Sequence, residues 1–348
     1  MALGRKEILT VVASIVVSFV AAEAAYRLYL RHRARADMER VERQATVTAI
    51  DTCDLGNIIR LSAEPDLFYE LKPNLHGRFC GGVMSTNARG MRMSVDPKIA
   101  KPDGVIRVVA LGDSYLFGQR VDDGQGFLDV LQAQALADGK PVELLNFAVP
   151  GYNTWMESVV LATRARHFAP DVILVAVTGN DWDLPQFMLS RPYGDWAHSF
   201  LLGAIADGLR APPKLLHTPN SRVYEHHYLA VPEEVPAAFR HMVGFDGYRH
   251  ALLRMLDIAD QLGARLVLFS DCITIDGPGS RTCTFPFRPG EYELLRAEVY
   301  AHPRTLVCSW ELPPELLIPG DGHPTVEGHQ RLAEQLRSCI EAHGVVKI

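Results

Sequence analysis

Five runs of β-branched and aliphatic residues recur along the chain: VIRVVAL (105–111), VELLNFAV (142–149), DVILVAVT (171–178), ARLVLFS (264–270) and TLVCSW (305–310). The third holds hardly a polar residue, as a strand does when both of its faces are covered. Between the runs, 127–138, 154–168, 249–262, 291–300 and 325–342 carry helical spacing. Strands alternating with helices predict an α/β fold, specifically a flavodoxin-like three-layer α/β/α sandwich around a parallel five-stranded sheet. Ligands of such sheets sit at the carboxyl ends of the strands, so the residues just after each run are the ones to inspect for chemistry.

The N-terminus sets the surroundings. Arg5 and Lys6 precede the apolar run ILTVVASIVVSFVAA (8–22), and the stretch continues past Glu23 to Leu30. A run of about 15 apolar residues suits a signal peptide, whereas the whole span of about 23 crosses a bilayer with Arg27 reaching for the interface. Ala22-Glu23-Ala24 offers a cleavage motif, yet Arg27, Arg31, Arg33 and Arg35 continue as a basic, helix-forming segment. An uncleaved membrane anchor over 1–30 is expected.

Those arginines would keep the bulk of the chain cytoplasmic under the positive-inside rule, while the cysteines argue the other way. There are six. Cys272 and Cys283 bracket the turn-rich CITIDGPGSRTC, which a disulfide would close, and Cys53 and Cys80 share another loop-rich stretch. Cys308 and Cys339 read as buried thiols. The expectation is a tethered domain facing the periplasm or exterior.

The 348 residues, 48% hydrophobic, suffice for one large domain, and a net charge of -6 offers no basic field, so no nucleic-acid partner is expected. Residues 31–104, punctuated by Pro65, Pro73, Pro97 and Pro102, read as a stalk and irregular preface to a domain over 105–342. Within it, about 182–248 carries seven prolines and reads as an insertion beside or over the site, either a lid or a surface excursion.

Four blocks fall at strand ends or before the last helix: Gly112-Asp113-Ser114, Pro150-Gly151-Tyr152-Asn153, Thr178-Gly179-Asn180-Asp181 and Asp321-Gly322-His323-Pro324. Singly, each has an ordinary reading as turn, cap or helix start. Jointly they supply what acyl transfer needs. Ser114 is the hydroxyl to be activated, His323 the imidazole that takes its proton, and Asp321 the carboxylate that fixes the tautomer. The N–H groups of Ser114 and Gly151 and the amide of Asn180 are donors for an oxyanion, and glycine at 151 allows the backbone to approach a substrate closely.

In order and placement these blocks resemble the SGNH, or GDSL-type, hydrolase family over about residues 105–342. The resemblance implies that Ser114 within GDSYLFG is the nucleophile, that Gly151 within VPGYN and Asn180 within TGND join the Ser114 N–H in the oxyanion hole, and that His323 within DGHP is the base. It also implies the flavodoxin-like sandwich. Pro73-Asn74 and Asn87-Ala88-Arg89-Gly90-Met91-Arg92 look like elements that precede the first strand in membrane-tethered bacterial members associated with cell-surface polysaccharide. One departure stands out. The family's common pattern sets the aspartate three residues before the histidine, where this chain has Gly320, and the carboxylate is Asp321, two before. Asp113 and Asp181 are adjacent only in sequence and read as loop-holding residues.

The expected activity is ester hydrolysis through an acyl-enzyme, on O-acyl groups of carbohydrate or lipid. The alternatives are an O-acyltransferase for exported polysaccharide and a catalytically silent glycan-binding or assembly protein. The expected partners are a small-molecule or glycan ester and, through the N-terminal helix, the membrane. No cofactor or metal is expected: no G-x-G-x-x-G or C-x-x-C occurs, and His226, His227 and His329 read as solvated. Tyr115, Tyr152, Trp155 and Trp182 beside the blocks suit either sugar stacking or the core.

Overall fold

The computed structural model describes residues 4–345 except 41–46, 65, 192–198, 212, 219–234, 272, 275–276 and 279–286. Strands β1 (Ile106–Leu111), β2 (Val142–Asn146), β3 (Val172–Val177), β4 (Arg265–Ser270) and β5 (Thr305–Ser309) form a wholly parallel sheet in the order β2-β1-β3-β4-β5. The register pairs Val109 with Leu145 on one side and Ile173 on the other, and Ile173 in turn with Leu266. Every residue of β3 is buried, as its unbroken apolar sequence requires of a central strand.

The helices are α1 (Arg5–Arg40), α2 (Ser114–Phe117), α3 (Phe127–Ala137), α4 (Thr154–Thr163), α5 (Phe200–Gly208), α6 (Gly244–Leu262), α7 (Glu291–Leu295) and α8 (Val326–Ala342). Packing of α3 on α8 and of α4 on α6 builds the helical layers that flank the sheet. Side chains satisfy free N–H groups at the starts of α4 and α8: Asn153 accepts from Met156 N at 3.0 Å and Thr325 from Gly328 N at 3.1 Å.

Residues 47–104 are more ordered than a stalk. Thr48–Thr52, Leu75–Phe79 and Gly82–Ser85 form a small sheet, and Ile59–Leu61 pairs with Tyr69–Leu71. Strands of three to five residues between prolines and glycines leave too short a pattern to read from sequence. This preface packs onto the main domain: Leu67 and Tyr69 are fully buried, Tyr69 Oη donates to Pro150 O at 3.2 Å, and Tyr152 Oη donates to Tyr69 O at 2.5 Å.

Cys53 is disulfide-bonded to Cys80, and Cys308 to Cys339. The second bond corrects the reading of Cys308 and Cys339 as thiols. The two sit 31 positions apart, but α8 packs against β5 and brings their Cα atoms to 5.9 Å, within bonding range. Cys272 and Cys283 lie outside the described residues, as do His226 and His227.

Arg5–Leu30 of α1 is long and apolar enough to cross a membrane, a candidate anchor or signal sequence, and none of its most apolar stretch is buried in the fold. Among the described residues, Glu23, Tyr26 and Leu30 are the ones of its C-terminal half that are partly buried, on one face. There the Glu23 carboxylate accepts from Ser199 Oγ (2.8 Å), Phe200 N (3.0 Å) and Leu201 N (2.9 Å), capping α5. The Arg27 guanidinium lies 4.3 Å from the centre of the Phe200 ring.

Candidate active site

Ser114 opens α2 at the carboxyl end of β1. Asp113 caps this single turn, accepting from Tyr115 N at 2.9 Å, and its other oxygen lies 2.9 Å from Thr178 Oγ1. Burial pushes the Asp113 carboxyl up, and the bonds from Tyr115 and Thr178 oppose it. At its far end α2 is held by Arg92, which donates to the carbonyls of Phe117 (2.8 Å), Gly118 and Val121 (2.7 Å). A buried cation at those carbonyls complements the negative end of the turn. Arg92 is set in place by the loop before it, where Asn87 Oδ1 accepts from Arg89 N (2.9 Å) and Met91 N (3.0 Å). Gly90 there has φ +74°, and a Cβ would meet Leu71 O at 2.6 Å.

His323 lies in the loop before α8, and its Nδ1 is bonded to Asp321 Oδ1. Asp321 Oδ2 accepts from Arg120 through Nε (3.0 Å) and a terminal nitrogen (2.5 Å). Burial alone would raise the Asp321 carboxyl. The hydrogen bonds and charges of His323 and Arg120 outweigh it and hold the group below the ordinary carboxylate range. Tyr115, the residue after Ser114, donates to Gly322 O at 2.6 Å, and its ring centre is 5.4 Å from that of His323. The turn that begins at Ser114 and the histidine loop are thereby pinned together. His323 Nε2 is buried and has no hydrogen-bond partner among the described residues.

Gly151 follows β2 with φ +74°, and a Cβ there would lie 2.5 Å from Gln186 Cβ and 3.0 Å from Tyr69 Oη. The demand for glycine is thus met within the chain: conformation and the protein's own neighbours exclude a side chain, rather than room for a substrate. Asn180 follows β3; its Oδ1 lies 2.5 Å from Thr178 Oγ1 and its Nδ2 donates to Tyr152 O at 3.1 Å. The Asn180 side chain also hydrogen-bonds the Asp113 carboxylate and helps to oppose the effect of its burial.

Asp181 serves the fold of its own loop, accepting from Thr178 N and Thr154 Oγ1, both at 2.5 Å. Burial, with Asp113 adding to it, pushes Asp181 well above the ordinary range. The carboxylate bonded to His323 is therefore Asp321, neither Asp113 nor Asp181.

Three residues escape a sequence reading. Arg120 reaches Asp321 across 201 positions. Glu157 on α4 is buried with both carboxylate oxygens unpartnered among the described residues, and burial, then Asp181 and Asp113, push it far upward. His329, expected in solvent, is fully buried: its Nδ1 accepts from Phe127 N at 3.2 Å, and burial drives its pKa down to about 3. A signal for it exists, since 329, 332, 333, 336 and 340 form the buried stripe of α8. Tyr152 and Trp182 are core residues, the latter packed on Tyr248 and Phe287, while Tyr115 and Trp155 are half-buried. Among the described residues no cluster of His, Cys, Asp and Glu has the geometry to hold a metal ion.

No family model matches the sequence, and no curated protein does. Solved structures do resemble it. TesA is 14% identical, with 69% of this chain and 99% of that one covered at a TM-score of 0.41. A catalytic mutant of Axe2, an acetylxylan esterase from Geobacillus stearothermophilus, is 13% identical over 69% of this chain and 96% of that one, with a TM-score of 0.41. A member of the lipolytic protein G-D-S-L family from Veillonella parvula is 12% identical over 68% and 99%, with a TM-score of 0.40. The second of these is described as an esterase and the third as a lipolytic G-D-S-L protein, and at such identities and scores the chemistry of this chain rests on its side-chain geometry alone.

Proposed function

We propose that the chain is a membrane-tethered serine esterase of the SGNH type, with its catalytic domain over 105–342 and its preface over 31–104. The observation that carries this reading is the polarity of His323. Its Nδ1 is bonded to Asp321, which leaves Nε2 buried, with no partner among the described residues, beside the turn that begins at Ser114. In that tautomer Nε2 accepts the Ser114 proton as Oγ bonds to the ester carbonyl carbon. The carbonyl π pair moves onto oxygen, where the N–H groups of Ser114 and Gly151 and the Asn180 amide stabilise it. Collapse expels the alcohol, which takes the proton back from Nε2, and water then cleaves the acyl-enzyme by the same route. The substrate class that suits a tethered domain is O-acyl, especially acetyl, groups on carbohydrate or lipid.

The disulfides at Cys53–Cys80 and Cys308–Cys339 favour an exported, periplasmic or extracytoplasmic domain. The test of function is acid release from p-nitrophenyl esters of short and long acyl chains and from acetylated glycans. Ser114→Ala is expected to lose most turnover with an unchanged melting curve, because the hydroxyl takes little part in packing. Hydrolysis at the wild-type rate by that variant overturns the assignment. Ester appearing on an added sugar in place of free acid would make the protein an acyltransferase with the same residues.

A further inference from the structure

We propose that α5 is a second membrane-contacting element, lying in the headgroup and upper acyl region of the bilayer that α1 crosses. The inference rests on reading Arg5–Leu30 as a retained span. Glu23 stands seven residues before Leu30, about 10 Å along a helix at 1.5 Å per residue. Because Glu23 accepts from the N–H groups of Phe200 and Leu201, the first turn of α5 is fixed at that depth. Interfacial helices bury their apolar face about 5–10 Å into the headgroup and acyl boundary, the same depth.

The sequence of α5, FLLGAIADG, agrees. Gly203 is buried, while Leu202, Ile205 and, just past the helix, Leu209 are exposed at 36%, 55% and 84%. Large aliphatic side chains left bare beside a membrane span are solvated by lipid rather than by water. The same end of α1 carries Arg27 and Arg33, both exposed cations suited to anionic headgroups, and the Arg27 guanidinium lies over the Phe200 ring. Continuity with the span selects a bilayer over a soluble protein as the occupant of this face.

The full chain is reconstituted into vesicles of phosphatidylethanolamine and phosphatidylglycerol with a fluorophore on Ile15→Cys, Ile205→Cys or Leu294→Cys, subtracting the labelling of the unsubstituted protein. Leu294, exposed on α7, is the reference outside the membrane. Lipids with a doxyl quencher high on the acyl chain are expected to remove most emission at 205 and leave 294 bright, while a quencher near the chain methyl dims 15. Quenching at 15 with 205 as bright as 294 overturns the role of α5, and would point to a protein on that face. No quenching at 15 overturns the span itself, and the inference with it. Neither result touches the esterase reading, which acid release tests separately.

Discussion

Asp321 and His323 show chemistry set by reach rather than by a spacing rule: two residues suffice because the loop turns the carboxylate back onto Nδ1. Asp321→Asn is expected to lower kcat on the order of 10⁴-fold, since an amide cannot hold the histidine in the accepting tautomer. Asp113→Ala and Asp181→Ala, measured beside it, should instead reduce stability; a harmless Asp321→Ala would show that another acid serves. Arg120 acts through Asp321. A carboxylate whose folded pKa is depressed gives stability that is present above its unfolded value and is lost as pH falls through the folded value. Arg120→Ala removes part of that depression, so its acid unfolding should begin at higher pH than the wild type's in denaturant titrations. The positions of Ser114, Gly151, Asn180 and His323 were legible because each lies in a short block after a strand or before the last helix. Arg120 was not, because a contact made across the fold leaves no local pattern, and Glu157 was not, because an acidic residue in the first turn of a helix reads as solvated.

Among the elements, the sheet was the most legible part, its strands being continuous apolar runs. The small strands of 47–104 and the disulfide between β5 and α8 were hidden, since neither length nor spacing marks them. That disulfide fastens the edge strand of the sheet to the last helix. Cys308→Ala with Cys339→Ala should cost about 2–4 kcal/mol in equilibrium unfolding. In the first turn of α8, His329 is buried neutral with a pKa of about 3, below its unfolded value of about 6.5. The unfolded chain therefore binds the extra proton between those values, and stability is lost as pH falls from about 6.5 toward 3, by up to about 1.4 kcal/mol per pH unit. His329→Gln should flatten that slope in melting curves taken across the window, and an unchanged slope would assign it to other groups.

For the whole molecule, the preface and the main domain behave as one body. Tyr69 sits against Pro150 and Tyr152, and Arg92 against the end of α2. A chain beginning at residue 105 should therefore be insoluble or inactive, whereas one beginning at 47 should melt as a single unit, which calorimetry would show. The Glu23 cap carries a different consequence, for maturation. Glu23 is the middle residue of Ala22-Glu23-Ala24, so a signal peptidase cutting after Ala24 would carry away the carboxylate that the first turn of α5 binds. Processing and the docking of that helix are mutually exclusive, and the intact mass of protein extracted from its native membrane should still include the first 24 residues.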